Sequence, residues 1–129
     1  MLQTIMATKH ILVVDDDVEL LKALRKVLSK DEYDVATASS AVEAMAQMGG
    51  DSRFDLVITD LSMPGESGIS LLKKIRQQSP QTRVVMLTAF GDWSNYGEAM
   101  ALGASEFLSK PINTEELLQC VHRTLEDAS

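Results

Sequence analysis

Asp15 and Asp16 follow Ile11-Leu12-Val13-Val14, Asp60 follows Leu56-Val57-Ile58-Thr59, Thr88 follows Val84-Val85-Met86-Leu87, and Lys110 comes shortly after Phe107-Leu108. These five side chains, each closing an apolar run, are the ones in this sequence that could do chemistry together. Three carboxylates brought side by side repel unless a proton or a cation compensates. A hard divalent ion such as magnesium accepts carboxylate oxygens, keeps part of its water and bridges to phosphate, whereas a donor set without His or Cys offers little to zinc. With such an ion present, one carboxylate can attack phosphorus while an ammonium and a hydroxyl steady the charge gathering on the equatorial oxygens. Lys110 and Thr88 suit those two supporting roles. The product would be an aspartyl phosphate, an acyl phosphate whose new charge and acceptors nearby loops could rearrange to meet.

This chemistry requires the five residues to meet at one edge, and the rest of the pattern supplies that edge. Short apolar runs alternate with amphipathic stretches along the whole chain, which reads as βα units. Strands are expected at Ile11 to Val14, Val35 to Ala38, Leu56 to Thr59, Val84 to Leu87 and around Phe107-Leu108. The first helix turns Leu20, Leu21, Leu24 and Leu28 to one side, with Asp16 or Asp17 as its cap. Ser40 with Glu43 forms a capping box for the second, which stops at Gly49-Gly50. Leu71, Leu72 and Ile75 mark the third, Asp92 is positioned to cap and Gly103 to close the fourth, and Asn113 with Glu116 opens a fifth that buries Leu117, Leu118, Val121 and Leu125. Five such units with right-handed crossovers give an α/β fold, an open parallel sheet covered by helices on both sides, with function at the carboxyl ends of the strands.

Composition narrows the field further. The chain has 129 residues, 45% of them hydrophobic, and carries 19 acidic against 12 basic side chains for a net charge of -7. That fits one globular domain whose core needs no disulfide or structural metal. Cys120 has no cysteine partner, which favours a reducing, cytoplasmic setting. No apolar run reaches the length of a membrane span, and the opening residues lack a signal-peptide pattern. The acidic balance works against direct binding of DNA or RNA. His10 and His122 fall outside the polar rim, and Met45, Met48, Met86 and Met100 sit at apolar positions that suit core filling. Trp93 and Tyr96, near the start of helix four, are candidates for exposed aromatic contacts with a partner.

Ile11-Leu12-Val13-Val14-Asp15-Asp16-Asp17, Asp60-Leu61-Ser62-Met63-Pro64-Gly65, Leu87-Thr88-Ala89 and Lys110-Pro111 occur in the order of a known family. Over about Lys9 to Leu125 the chain closely resembles a two-component response-regulator receiver domain, the phosphoacceptor module typified by chemotaxis regulators. The resemblance implies one receiver domain over 1–129, with a flavodoxin-like, doubly wound sheet of strand order 2-1-3-4-5 and five helices. It also implies that Asp60 is the phosphoacceptor and that Asp15 and Asp16 hold magnesium with Asp60 and the Ser62 backbone carbonyl. Thr88 would signal through its hydroxyl, Lys110 would pair with the phosphoryl group, and Phe107 would stand where the family carries an aromatic switch, here without a phenolic hydroxyl. The side chains that tune water access to the phosphoryl group would be Ser62 and Phe90, a pair that implies slow self-dephosphorylation. The implied donor is a phosphohistidine on a sensor histidine kinase or phosphotransfer protein. The implied output is a changed face of helix four, strand five and helix five, read by an effector domain, a partner protein or a second copy of the chain. The chain, which stops soon after its last helix, is expected to be either a free-standing regulator or part of a longer one.

Other readings of the same residues can be weighed. A small haloacid-dehalogenase-like phosphatase would use Asp15 as nucleophile with Thr88 and Lys110 as later motifs, but Glu19 is atypical for it and its acidic pair beyond the lysine is missing. A pseudo-receiver would keep the fold as a binding module and lack the chemistry, yet all the key residues are present. An EF-hand starting at Asp15 would put Leu20 where glycine must turn and Lys26 where a bidentate Glu is needed. Gly65-Glu66-Ser67-Gly68 lacks the spacing and the Lys-Ser/Thr ending of a P-loop.

Overall fold

A computed structural model describes residues 8–50, 53–63, 65–89 and 91–126. Phe90 and Pro64 lie outside the described residues. The elements run β1 (His10–Val14), α1 (Val18–Lys30), β2 (Asp34–Ala38), α2 (Ala41–Met48), β3 (Leu56–Asp60), α3 (Gly68–Gln78), β4 (Arg83–Thr88), α4 (Tyr96–Ala101), β5 (Glu106–Ser109) and α5 (Thr114–Glu126). All five strands are parallel and their order is β2-β1-β3-β4-β5, as the resemblance implied. No helix among the described residues is long and apolar enough to cross a membrane.

The continuous apolar runs become strands because both faces of the sheet are covered. Leu12, Val14 and Val57 point to one side and pack with Leu71, Leu72 and Ile75 of α3 and with Ala41 and Ala44 of α2. Ile11, Val13 and Ile58 point to the other and meet Leu21, Leu24 and Leu28 of α1 and Leu117 and Val121 of α5. The two central strands are thus held on both sides, and only their ends carry polar groups.

Helix ends follow local chemistry with informative exceptions. Asp17, not Asp16, caps α1, its carboxylate accepting from the Glu19 and Leu20 N–H groups at 3.1 and 3.2 Å. Ser40 accepts from the Glu43 N–H at 3.1 Å, but the Glu43 carboxylate reaches back to the Ser39 N–H and hydroxyl instead of to Ser40. The same two bonds hold its pKa below the ordinary glutamate value. Asn113 Oδ1 accepts from the Glu116 N–H at 2.9 Å ahead of α5. Gly103, with φ of 94°, follows the end of α4, and the Ala104 N–H closes back on Ala99 O at 3.0 Å, which satisfies an otherwise orphaned carbonyl. The start of α4 departs from expectation: the helix begins at Tyr96, Asn95 makes no side-chain cap bond, and Asp92 folds its carboxylate onto Ser94. Met86 is fully buried and Met48 nearly so, but Met100 is 36% exposed and is surface, not core filler.

Candidate functional site

Each expected site residue except Phe90 can be located, and most converge at the carboxyl rim of the sheet. Asp15 is the first residue past β1 and is fully buried. Its N–H donates to Ala38 O at 3.1 Å, which keeps the chain in register with β2 for one further step, and its Oδ1 accepts from the Asp17 N–H at 2.9 Å. Asp16 is exposed above it. Asp60 ends β3, held between the strand and the Leu61 N–H, which donates to Leu87 O at 2.8 Å. Oxygen atoms of Asp15, Asp16 and Asp60 all lie within 4.8 Å of one another.

Lys110 enters from the end of β5, its N–H donating to Thr88 O at 2.8 Å ahead of a cis Lys110–Pro111 bond. Its Nζ stands 2.8 Å from Asp15 Oδ2 and 3.4 Å from Asp60 Oδ2. The lysine is therefore closer to the buried acid that supports the site than to the acid that borders its cavity. Burial disfavours the Lys110 ammonium, but the Asp15 and Asp60 carboxylates outweigh it and raise its pKa above the ordinary lysine value. Asp60 is also raised: burial is the main cause and the Asp15 charge adds to it, against the opposing pull of the Ser62 N–H at 3.2 Å and of Lys110. The Asp60 carboxylate is short of full compensation.

That shortfall tests whether a divalent cation fits. Three carboxylates against one ammonium leave two negative charges in one small pocket of oxygen donors with neither His nor Cys. Such a donor set suits a hard cation of magnesium type, and Asp15, Asp16 and Asp60 are the side chains that would hold it. Asp60, Ser62, Thr88 and Lys110 share a cavity of about 430 Å³ that opens beside these acids. Asp15 does not line it, which disfavours Asp15 as the attacking group of a phosphatase.

Thr88 is 1% exposed, and its hydroxyl donates to the Asp92 backbone carbonyl at 2.6 Å. The hydroxyl thus lies at the site but is engaged by the loop after β4. Phe107 is half-buried and forms an aromatic group with Trp93 and Tyr96, at centroid separations of 6.1 and 4.9 Å. Trp93 and Tyr96 are 51% and 44% exposed and, with Met100 and Phe107, line a groove of about 690 Å³ between α4 and β5. His10 and His122 are exposed and face Asp34 and Asp31 at 3.0 and 2.5 Å, away from the rim.

Sequence reading missed Gly68. This first residue of α3 donates its N–H to Leu61 O at 2.8 Å, and a Cβ added there would overlap the Asp60 carbonyl oxygen and stand 2.8 Å from Leu61 Cα. A glycine some residues beyond the acid is a weak signal alone, because the same spacing occurs in ordinary loops.

The response regulator receiver domain family matches residues 11–122. Among curated proteins, transcriptional regulatory protein CpxR of Klebsiella pneumoniae is 38% identical over 115 residues, covering 89% of this chain and 48% of CpxR. Transcriptional regulatory protein ResD of Bacillus subtilis is 34% identical over 119 residues, covering 92% of this chain and 49% of ResD. This chain thus spans about half the length of either relative. Among solved structures, a CheY-like receiver domain protein from Methanospirillum hungatei superposes with a TM-score of 0.89 at 29% identity, covering 95% of this chain and 97% of that one. A receiver domain protein from Clostridium thermocellum gives 0.86 at 34% identity, covering 92% and 95%. Rim geometry, strand order and relatives agree, and the chain belongs to the receiver domain family of two-component response regulators.

Proposed function

We propose that Asp60 accepts a phosphoryl group from a phosphohistidine on a sensor histidine kinase or phosphotransfer protein. The observation that carries this reading is that Asp60 alone among the three clustered acids both borders the open cavity and stands within reach of the Lys110 ammonium. A carboxylate oxygen of Asp60 forms the new P–O bond as the P–N bond to the donor imidazole breaks, and the imidazole takes up a proton. Lys110 draws negative charge on the transferred group, and the Ser62 N–H holds the other Asp60 oxygen in place. Magnesium bound by Asp15, Asp16, Asp60 and the Ser62 backbone carbonyl would neutralise phosphoryl charge. Asp15 fixes the Lys110 head group at 2.8 Å.

Thr88 and Phe107 carry the state outward in this reading, and the face of α4, β5 and α5 is its output, read by an effector domain, a partner protein or a second copy. The protein works in the cytoplasm, where its phosphodonors reside. Self-dephosphorylation is slow in this reading because Ser62 brings no charged group to orient water; Phe90, the other position expected to tune it, lies outside the described residues. Incubation with magnesium and acetyl phosphate should yield a phosphoryl adduct by mass spectrometry that maps to Asp60 and is absent in Asp60→Asn. A wild-type adduct retained in Asp60→Asn, or one mapped to Asp15, would refute the assignment. Ser62→Asn should lose the adduct faster than wild type.

A further inference from the structure

The sequence places an N-cap at Asp92 that the fold leaves half used. Were Asp92 the cap of a longer α4, its side chain would accept from the N–H two residues on and its carbonyl from the Tyr96 N–H. The first of these bonds exists already, since Asp92 Oδ1 accepts from the Ser94 N–H at 3.2 Å, with the Ser94 hydroxyl adding a contact at 2.7 Å. The second does not. The Asp92 carbonyl takes the Thr88 hydroxyl at 2.6 Å, while the Tyr96 N–H closes a tighter turn onto Trp93 O at 3.1 Å. Trp93, Ser94 and Asn95 include no proline or glycine to bar a helical turn. Asn95, at the observed start, contributes no side-chain cap.

We infer that the Thr88 hydroxyl holds α4 about one turn short, and that its release from the Asp92 carbonyl lets the helix wind back to Trp93 with Asp92 as cap. The exchange is local: the Asp92 carbonyl trades the Thr88 hydroxyl for the Tyr96 N–H, the Trp93 carbonyl so released comes into helical register with the Gly97 N–H, and the Thr88 hydroxyl is freed for another acceptor. Its consequence is large for the surface, because Trp93 passes from a loop onto a helix and its packing against Tyr96 and Phe107 changes, remodelling the groove they line. A strong start signal overridden by one side-chain hydrogen bond from four residues back is the kind of conflict expected where two states lie close in free energy. Coupling of this step to signalling rests on the proposed phosphorylation of Asp60, whose phosphoryl oxygens would compete for the Thr88 hydroxyl. The winding itself does not.

The test uses Thr88→Val, which keeps shape and β-branching but has no hydroxyl. Backbone NMR should show the Trp93, Ser94 and Asn95 carbon shifts moving to helical values and the Tyr96 amide exchanging more slowly, whereas Thr88→Ser should resemble wild type. Adding Asp92→Ala to Thr88→Val removes the cap and should lower the population of the longer helix about fivefold. Unchanged shifts at Trp93 to Asn95 in a folded Thr88→Val protein, or no effect of the added Asp92→Ala, would overturn the inference. A third arm treats wild type with magnesium and acetyl phosphate and reads Asp60 modification by mass alongside the same shifts. Modification without movement of Trp93 to Asn95 would overturn the coupling. A lack of modification would count against the Asp60 reading alone, and the Thr88→Val result would still judge the helix.

Discussion

Gly68→Ala adds a single methyl group to the first residue of α3, where its two nearest neighbours would be backbone atoms, with the Met86 methyl group next at 3.1 Å. The added Cβ would lie 2.8 Å from Leu61 Cα and overlap the Asp60 carbonyl, so the helix start must retreat from the end of β3 by at least about 0.7 Å to restore carbon–carbon contact. That movement works against the Gly68 N–H bond to Leu61 O and against tightly packed Ile69, Leu71 and Leu72. Overpacking of this kind costs about 1–3 kcal/mol, of which better helix propensity returns less than about 1 kcal/mol. Urea unfolding should therefore show a loss of about 1–2 kcal/mol, and thermal unfolding a midpoint lower by roughly 3–10 °C. Asp60 would shift relative to Lys110, whose ammonium is already 3.4 Å away, and acetyl phosphate labelling should slow roughly tenfold to a hundredfold. Gly97→Ala is the control, because nothing lies within 4 Å of a Cβ at that exposed position in α4. If Gly68→Ala matched Gly97→Ala in stability and labelled at the wild-type rate, the argument that this glycine sets the position of Asp60 would be wrong.

Magnesium at a hundredfold excess over its dissociation constant should raise unfolding stability by about 2.7 kcal/mol in wild type and by much less in Asp16→Asn, measured by urea titration with and without chelator. Lys110→Met leaves Asp15 buried without its cation and should cost about 1–3 kcal/mol at neutral pH, moderated because the Lys110 side chain is 28% exposed. The pH dependence has a definite sign. Because the native Lys110 pKa is raised above its unfolded value, its contribution is complete below the ordinary lysine range and is lost as pH climbs through the native value. The gap between wild type and Lys110→Met should therefore narrow as pH rises above about 10. Burial, with the Glu106 charge beside it, pushes the Cys120 thiol up to about 11, so a thiol-reactive disulfide reagent at pH 8 should modify it only after unfolding. Rapid labelling of the folded protein would contradict that burial.

Much of this architecture is legible in the sequence for a physical reason. β1, β3 and β4 are covered on both faces, so their residues must be apolar without alternation, and the rim acids stand out as the first polar groups after them. α1 and α5 pack through stripes that period alone reveals, with Leu21, Leu24 and Leu28 on one and Leu117, Val121 and Leu125 on the other. The misreadings involve contacts that the apolar period and the cap signals of a segment do not show. The local cap signal at Asp92 loses to a hydroxyl from the end of β4, and Met100, although it falls on an apolar stretch, faces the groove instead of the core. Gly68 reads as one more loop glycine, because its crowding against Asp60 exists only once α3 has docked on β3.

The division of roles among the three acids follows from how unevenly the fold treats them. Asp15 is wholly buried, braced by the Asp17 N–H and nearest to Lys110, so it is the fixed element that holds the ammonium in place. Asp16 is exposed on a turn and contributes charge without restraint. Asp60 is desolvated by its position at the end of a central strand, repelled by Asp15 and only loosely met by Lys110, which is why its pKa is raised while it still borders open space. Greater stability would follow from moving Lys110 closer to Asp60, but an ammonium bonded tightly there would occupy the approach to its oxygen. The longer Lys110 to Asp60 separation is thus the arrangement expected if this carboxylate must stay reachable, with the ammonium held instead by the nearer Asp15 carboxylate.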